Sequence, residues 1–147
     1  MTNDQFPISD QPPVPGAASS GPAGEPRVTA RRAYDLEERT ASFAEAVIGL
    51  AARIPRTPVT VRVIEQFVGS GTSIGANYCE PDDAVSRKDF RKNIGTCRKE
   101  AKETKYWLRV LATAAPDLKD DARMLWKEAN ELHLIFCKII QSTDEGS

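Results

Sequence analysis

Five basic residues set the first chemical question in this chain. Arg91, Arg98, Lys102, Lys105 and Arg109 recur at spacings of seven, four, three and four, a helical period that puts all five on one face. Between Ser86 and Leu111 stand nine basic and three acidic residues, a local excess of six positive charges. Such a stripe can track phosphates, so these five are the candidate contacts for nucleic acid, RNA or DNA. The competing reading is a plain solvated helix face. The whole chain carries a formal net charge of −1, and no base-stacking aromatics interleave the stripe. A second polar set comprises Asn77 and Glu80, then Glu100 and Glu103, beside apolar positions. Its structural reading is a hydrogen-bonded network that fixes helix register or subunit contacts. Its functional reading is a carboxylate pocket, and the structural one is preferred.

Other chemistries fail on residue type and count. A di-metal carboxylate site in a helical bundle needs a Glu-x-x-His pair on each of two helices. This chain has one histidine, His133, and Asn130 stands three residues before it. His133 lies next to an apolar seam and reads as a structural or surface residue. Gly69, Gly71 and Gly75 form GxGxxxG with no following Lys-Ser/Thr and no preceding strand, so a phosphate loop is rejected. Gly71 and Gly75 instead mark close helix packing, since a mid-helix glycine costs about 1 kcal/mol relative to alanine and needs a compensating contact. Cys79, Cys97 and Cys137 form no CxxC and read as buried free thiols of a reducing cytoplasm. No catalytic residue, metal ligand or cofactor is expected, and the protein is not expected to be an enzyme.

Four helices must position these groups. The first is expected over about residues 33–53, with Leu36, Thr40, Phe43, Val47, Leu50 and Ile54 on one face and a capping box from Asp35 to Glu38. The second is expected from a Thr57 cap, with Pro58 at its first position, to about Glu80, where Pro81 ends it. The third starts at a Ser86 cap. Its seam of Phe90, Ile94, Cys97, Ala101, Thr104, Leu108 and Leu111 is an unbroken heptad pattern. The fourth starts near Asp117, with Leu118, Ala122, Leu125, Ala129, Leu132, Phe136 and Ile139 on its seam and Trp107 and Trp126 filling the flanks. Residues 1–30, rich in Pro, Gly, Ala and Ser, are expected to be a disordered tail, and 143–147 to fray. The fold class is therefore all-α: an up-down-up-down antiparallel four-helix bundle over residues 31–142. No apolar run reaches the roughly 20 residues of a membrane span and no secretory signal is visible, so a cytoplasmic protein without a membrane partner is expected.

The motifs also carry a resemblance. Asp35-Leu36-Glu37-Glu38-Arg39-Thr40, the stretch Ser70 to Glu80, Lys99 to Leu108, and Glu128-Ala129-Asn130-Glu131-Leu132 follow one another in the order found in the bacterial four-helix bundle family of 23S rRNA intervening-sequence, or S23, proteins. The match covers about residues 34–142 and departs at Pro81, where that family usually has a small residue. The resemblance implies a four-helix bundle assembling as a ring-like homopentamer, with no established catalytic activity. It also implies a link to nucleic acid. A structurally similar group serves as accessory protein to the reverse transcriptases of diversity-generating retroelements, where a basic pentamer binds nucleic acid and the polymerase. The expected role is thus a homo-oligomeric scaffold, with a nucleic-acid-binding accessory protein as the alternative.

Overall fold

The structure, a computed structural model, describes residues 35–145. The expected tail at 1–30 lies outside them. Four helices follow in order: α1 (Leu36–Ala52), α2 (Thr60–Asn77), α3 (Arg87–Ala114) and α4 (Lys119–Glu145), with single 3-10 turns at Pro81–Asp83 and Pro116–Leu118. No strand occurs among the described residues. Each helix packs on its neighbours in chain order and α1 closes the ring against α4, an up-down-up-down bundle.

Local signals place the helix starts. The Asp35 carboxylate accepts from Glu38 N at 3.3 Å, and the Ser86 hydroxyl oxygen from Asp89 N at 3.0 Å. Thr57 Oγ1 accepts from Thr60 N at 3.1 Å, so it caps α2 although regular helix begins three residues later. The end of α2 falls at Asn77, not Glu80. Tyr78 is already extended (φ −73°, ψ 133°), and Glu80, which precedes a proline, is extended too. The Tyr78 ring turns inward, 6.3 Å from the ring of Phe136. At the other terminus α4 runs to Glu145, with Thr143 Oγ1 donating to the Ile140 carbonyl at 2.7 Å.

The core follows the seams. Phe43 and Val47 of α1, Phe67 and Ile74 of α2, Ile94 and Leu108 of α3, and Leu132 and Phe136 of α4 are all buried. On α4 the buried arc is rotated from the expected seam: Leu125 and Ile139 are only partly buried, whereas Trp126, Asn130 and His133 are buried. The close approach marked by glycine lies between α2 and α1. A Cβ on Gly71 would stand 2.7 Å from Val47 Cγ2, and one on Gly75 would stand 3.0 Å from Thr40 Oγ1. Gly69 meets nothing within 4 Å and marks no contact.

Helix length decides where the bundle leaves residues uncovered. Cys97 Sγ donates to the Ile74 carbonyl at 3.4 Å. Cys97 lies ten residues into α3, and Ile74 only three before the end of α2. About seven residues, or roughly 10 Å, of α3 therefore run past α2. This projecting end carries Arg87, Lys88, Arg91 and Lys92 and packs beside the last turns of α4.

Candidate nucleic-acid interface

The cationic stripe is built from α3 alone, and the bundle treats its members differently. Arg91, Arg98, Lys102 and Arg109 are exposed. Lys105 is not: it is 5% exposed, its Nζ donates to Asn130 Oδ1 at 2.9 Å, and it stands 5.2 Å from the Trp126 ring centroid. The expectation of a fully solvated stripe is corrected here. Lys105 follows Thr104 on the seam, so its stem is drawn between α3 and α4, where an amide and an aromatic face receive the ammonium. Arg91 forms an ion pair with Asp144 near the end of α4. Arg87, Lys88, Arg91, Lys92 and Arg98 line one groove of about 490 Å³, which Ile140 and Thr143 of α4 complete. The groove extends the cationic surface to three residues outside the five read from spacing.

Acidic groups lie on other flanks. At 3.6 residues per turn, Glu100 and Glu103 fall about 120–180° around α3 from the Arg91–Arg109 line. On α4, Glu128 and Glu131 face α1. Arg39 Nε donates to Glu128 Oε2 at 2.7 Å, and Arg39 Nη2 donates to Glu128 Oε1 at 3.0 Å and to Glu131 Oε1 at 2.9 Å. Asp121 likewise pairs at 2.9 Å with Arg53, the residue that caps the C-terminus of α1. Asn130, between Glu128 and Glu131 in sequence, faces α3 instead. Three acids of α4, Asp121, Glu128 and Glu131, are thus held from the α1 side, while its α3 side carries Asn130, Trp126 and, at the far end, Asp144. The hydrogen bonds to Glu128, more than those to Glu131, keep the Arg39 guanidinium firmly charged.

The second polar set does not form the expected network. Asn77 is exposed and donates to the Ser73 carbonyl at 2.8 Å, and Glu80 accepts from the Tyr78 hydroxyl at 3.4 Å. Among the described residues, no hydrogen bond or ion pair joins any two of Asn77, Glu80, Glu100 and Glu103. Burial, with Glu103 adding repulsion, raises the Glu100 carboxyl above its ordinary range. Burial also pushes the Cys97 thiol up to about 12 and raises the Tyr78 phenol, so both stay protonated and inert near neutrality. His133 is buried, with Nε2 3.8 Å from Cys137 Sγ one turn along. All three cysteines are free. Among the described residues no group of His, Cys, Asp and Glu could hold a metal ion, and no helix is long and apolar enough to cross a membrane. A groove of about 930 Å³ lies where the α1–α2 and α3–α4 loops meet. Val59, Val63, Val110 and Leu118 give it a mainly apolar lining.

Lys105 and Lys102 should separate structure from binding. Lys105→Met keeps the stem volume but takes the donor from buried Asn130 Oδ1, at an expected cost of about 1–3 kcal/mol. It should lower the thermal midpoint and leave phosphate binding by the folded protein unchanged. Lys102→Ala, on an exposed residue, should do the reverse. Calorimetry and a binding titration on both variants check this.

An all-α up-down bundle whose third helix turns a cationic face outward belongs to the small helical-bundle proteins. More specifically, the chain belongs to the 23S rRNA-intervening sequence protein family, whose model matches residues 32–141. It is also similar to a crystal structure from Bacteroides thetaiotaomicron VPI-5482, described as a protein of unknown function from the S23 ribosomal protein family. The TM-score is 0.63 and the identity 29%, over 71% of this chain and 96% of that one. No curated protein matches the chain.

Proposed function

We propose that this protein is a non-enzymatic, cytoplasmic homo-oligomer, five copies being the expected number, that acts as a scaffold. We further propose that it holds nucleic acid along the outer face of α3. The observation that carries the second part is charge segregation: α1 with its cap residue Arg53 engages Glu128, Glu131 and Asp121, while Arg98, Lys102 and Arg109 stay exposed on α3. A slightly acidic chain thereby keeps a cationic row exposed on α3. Assembly would multiply a weak phosphate affinity through avidity, provided one strand reaches several copies. Asn77, Glu80, Glu100 and Glu103, which lack cross-helix partners among the described residues, are assigned to contacts between copies.

Native mass spectrometry of the full chain tests both parts. The expected spectrum is a closed oligomer of five subunits whose mass rises by whole strands when an oligonucleotide is added. A clean monomer at micromolar concentration contradicts the scaffold, and an oligomer that takes up no strand contradicts the nucleic-acid role.

A further inference from the structure

We propose that Tyr106 is a stacking platform for an unpaired base, so that the cationic face of α3 takes single-stranded rather than duplex nucleic acid. This rests on the nucleic-acid reading above and narrows its substrate class. The expectation that no base-stacking aromatic interleaves the stripe is corrected by Tyr106, which stands between Lys102 and Arg109 and is 58% exposed, a large ring on a highly charged helix. Trp107 is partly buried and meets the ring edge-on, with centroids 4.9 Å apart and planes at 80°. That contact restrains the ring and leaves a face open to solvent, a preordered platform. Lys102 lies one turn before Tyr106 and Arg109 one turn after, both exposed. At 1.5 Å per residue the two cations stand about 10 Å apart along the helix and bracket the ring. Glu103, the nearest acid in sequence, falls on the opposite side of Tyr106 from Lys102 and Arg109 by the helical period.

Phosphates on Lys102 and Arg109 would carry the base between them to Tyr106. Every base has a π face, so stacking of this kind is tolerant of sequence. Inside a duplex both faces of a base are already covered by its neighbours, so only an unpaired or splayed nucleotide can use the ring. The spacing of basic residues alone gives no such preference, because phosphate contacts are common to single strands and duplexes.

Fluorescence anisotropy with labelled oligo(dT) of about 16 nucleotides, and with a duplex of matched length, tests this at about 50 mM salt. The proteins compared are wild type, Tyr106→Ala and Tyr106→Phe. Tyr106→Ala should weaken single-strand binding by about five- to a hundredfold, the range alanine substitution of a stacking aromatic gives. Tyr106→Phe should stay within about twofold of wild type, and duplex binding should be the same for all three. Equal single-strand affinity of wild type and Tyr106→Ala overturns the proposal, as does an equal loss on duplex or a loss in Tyr106→Phe as large as in Tyr106→Ala. Native mass spectra in which Tyr106→Ala falls to smaller species assign the ring to a contact between copies, which also overturns it. If wild type binds neither probe, the nucleic-acid reading itself fails. If binding persists, depends on the α3 charges and ignores Tyr106, only this inference fails.

Discussion

Gly71→Leu is expected to lower the thermal midpoint of the bundle, and by more than a substitution at either neighbouring glycine of α2. A Cβ at this position would already stand 2.7 Å and 2.9 Å from the two Val47 methyls. Val47 is fully buried, and a β-branched side chain has little rotamer freedom with which to retreat. The further carbons of leucine would have to push α1 off α2, against the core contacts of Phe43 and Leu50. Overpacking of this kind costs about 1–3 kcal/mol and occasionally more, which for a domain near 100 residues is a fall of roughly 5–20 °C. Gly75→Leu meets Thr40, whose Oγ1 is tied to the Leu36 carbonyl at 2.6 Å, and should also destabilise. Helix propensity alone predicts a small gain for both. Gly69→Ala is the control: with nothing within 4 Å it should gain up to about 1 kcal/mol. Calorimetry of the three variants decides. An unchanged or raised midpoint for Gly71→Leu means that α1 and α2 do not approach closely in solution.

Those glycines show which parts of the fold were legible in the sequence. Small residues spaced along a strongly apolar helix implied close packing, and two of the three are packed. The third, Gly69, has the same local pattern, and only the path of α1 tells them apart. The four helices were legible because apolar residues recur at the helical period in each, and α1, α2 and α3 also start on a polar cap at Asp35, Thr57 and Ser86, all properties of neighbouring residues. The exit of α2 was misplaced by three residues because Pro81 fixes only the residue before it, whereas the break at Tyr78 accompanies its ring packing with Phe136, far away in sequence. Lys105 shows the limit of reading by residue type. It follows Ala101 by four residues and precedes Ala112 by seven, positions that are buried, so the period did mark it for the interior. Lysine is almost never fully buried unless paired, and the partner, Asn130, is 25 residues away. The pairing of Arg39 with Glu128 and Glu131, 89 and 92 residues away, leaves no local trace at all. Yet that pairing keeps acids of α4 away from α3, so the most useful electrostatic fact about the candidate interface was not readable from helix α3.

The burial of Lys105 also determines which charges a binding test should reverse. Arg98, Lys102 and Arg109 are exposed, whereas reversing Lys105 would place a carboxylate beside Asn130 and Trp126 in a buried site and confound binding with folding. Arg98→Glu, Lys102→Glu and Arg109→Glu combined should leave the thermal midpoint nearly unmoved and abolish nucleic-acid binding. The change removes three cations per copy and replaces them with anions, so in an oligomer the loss is repeated at every copy a strand reaches. Wild-type affinity should itself fall steeply with salt. If about six phosphates are contacted across the assembly, the loss between about 50 and 200 mM is on the order of a thousandfold. The measurement that tests the account most directly is therefore an anisotropy titration of wild type and this triple variant with labelled single-stranded RNA at about 50 mM salt. The expected result is saturable wild-type binding that the triple reversal removes. Absent wild-type binding, or binding that the reversal leaves intact, would contradict it.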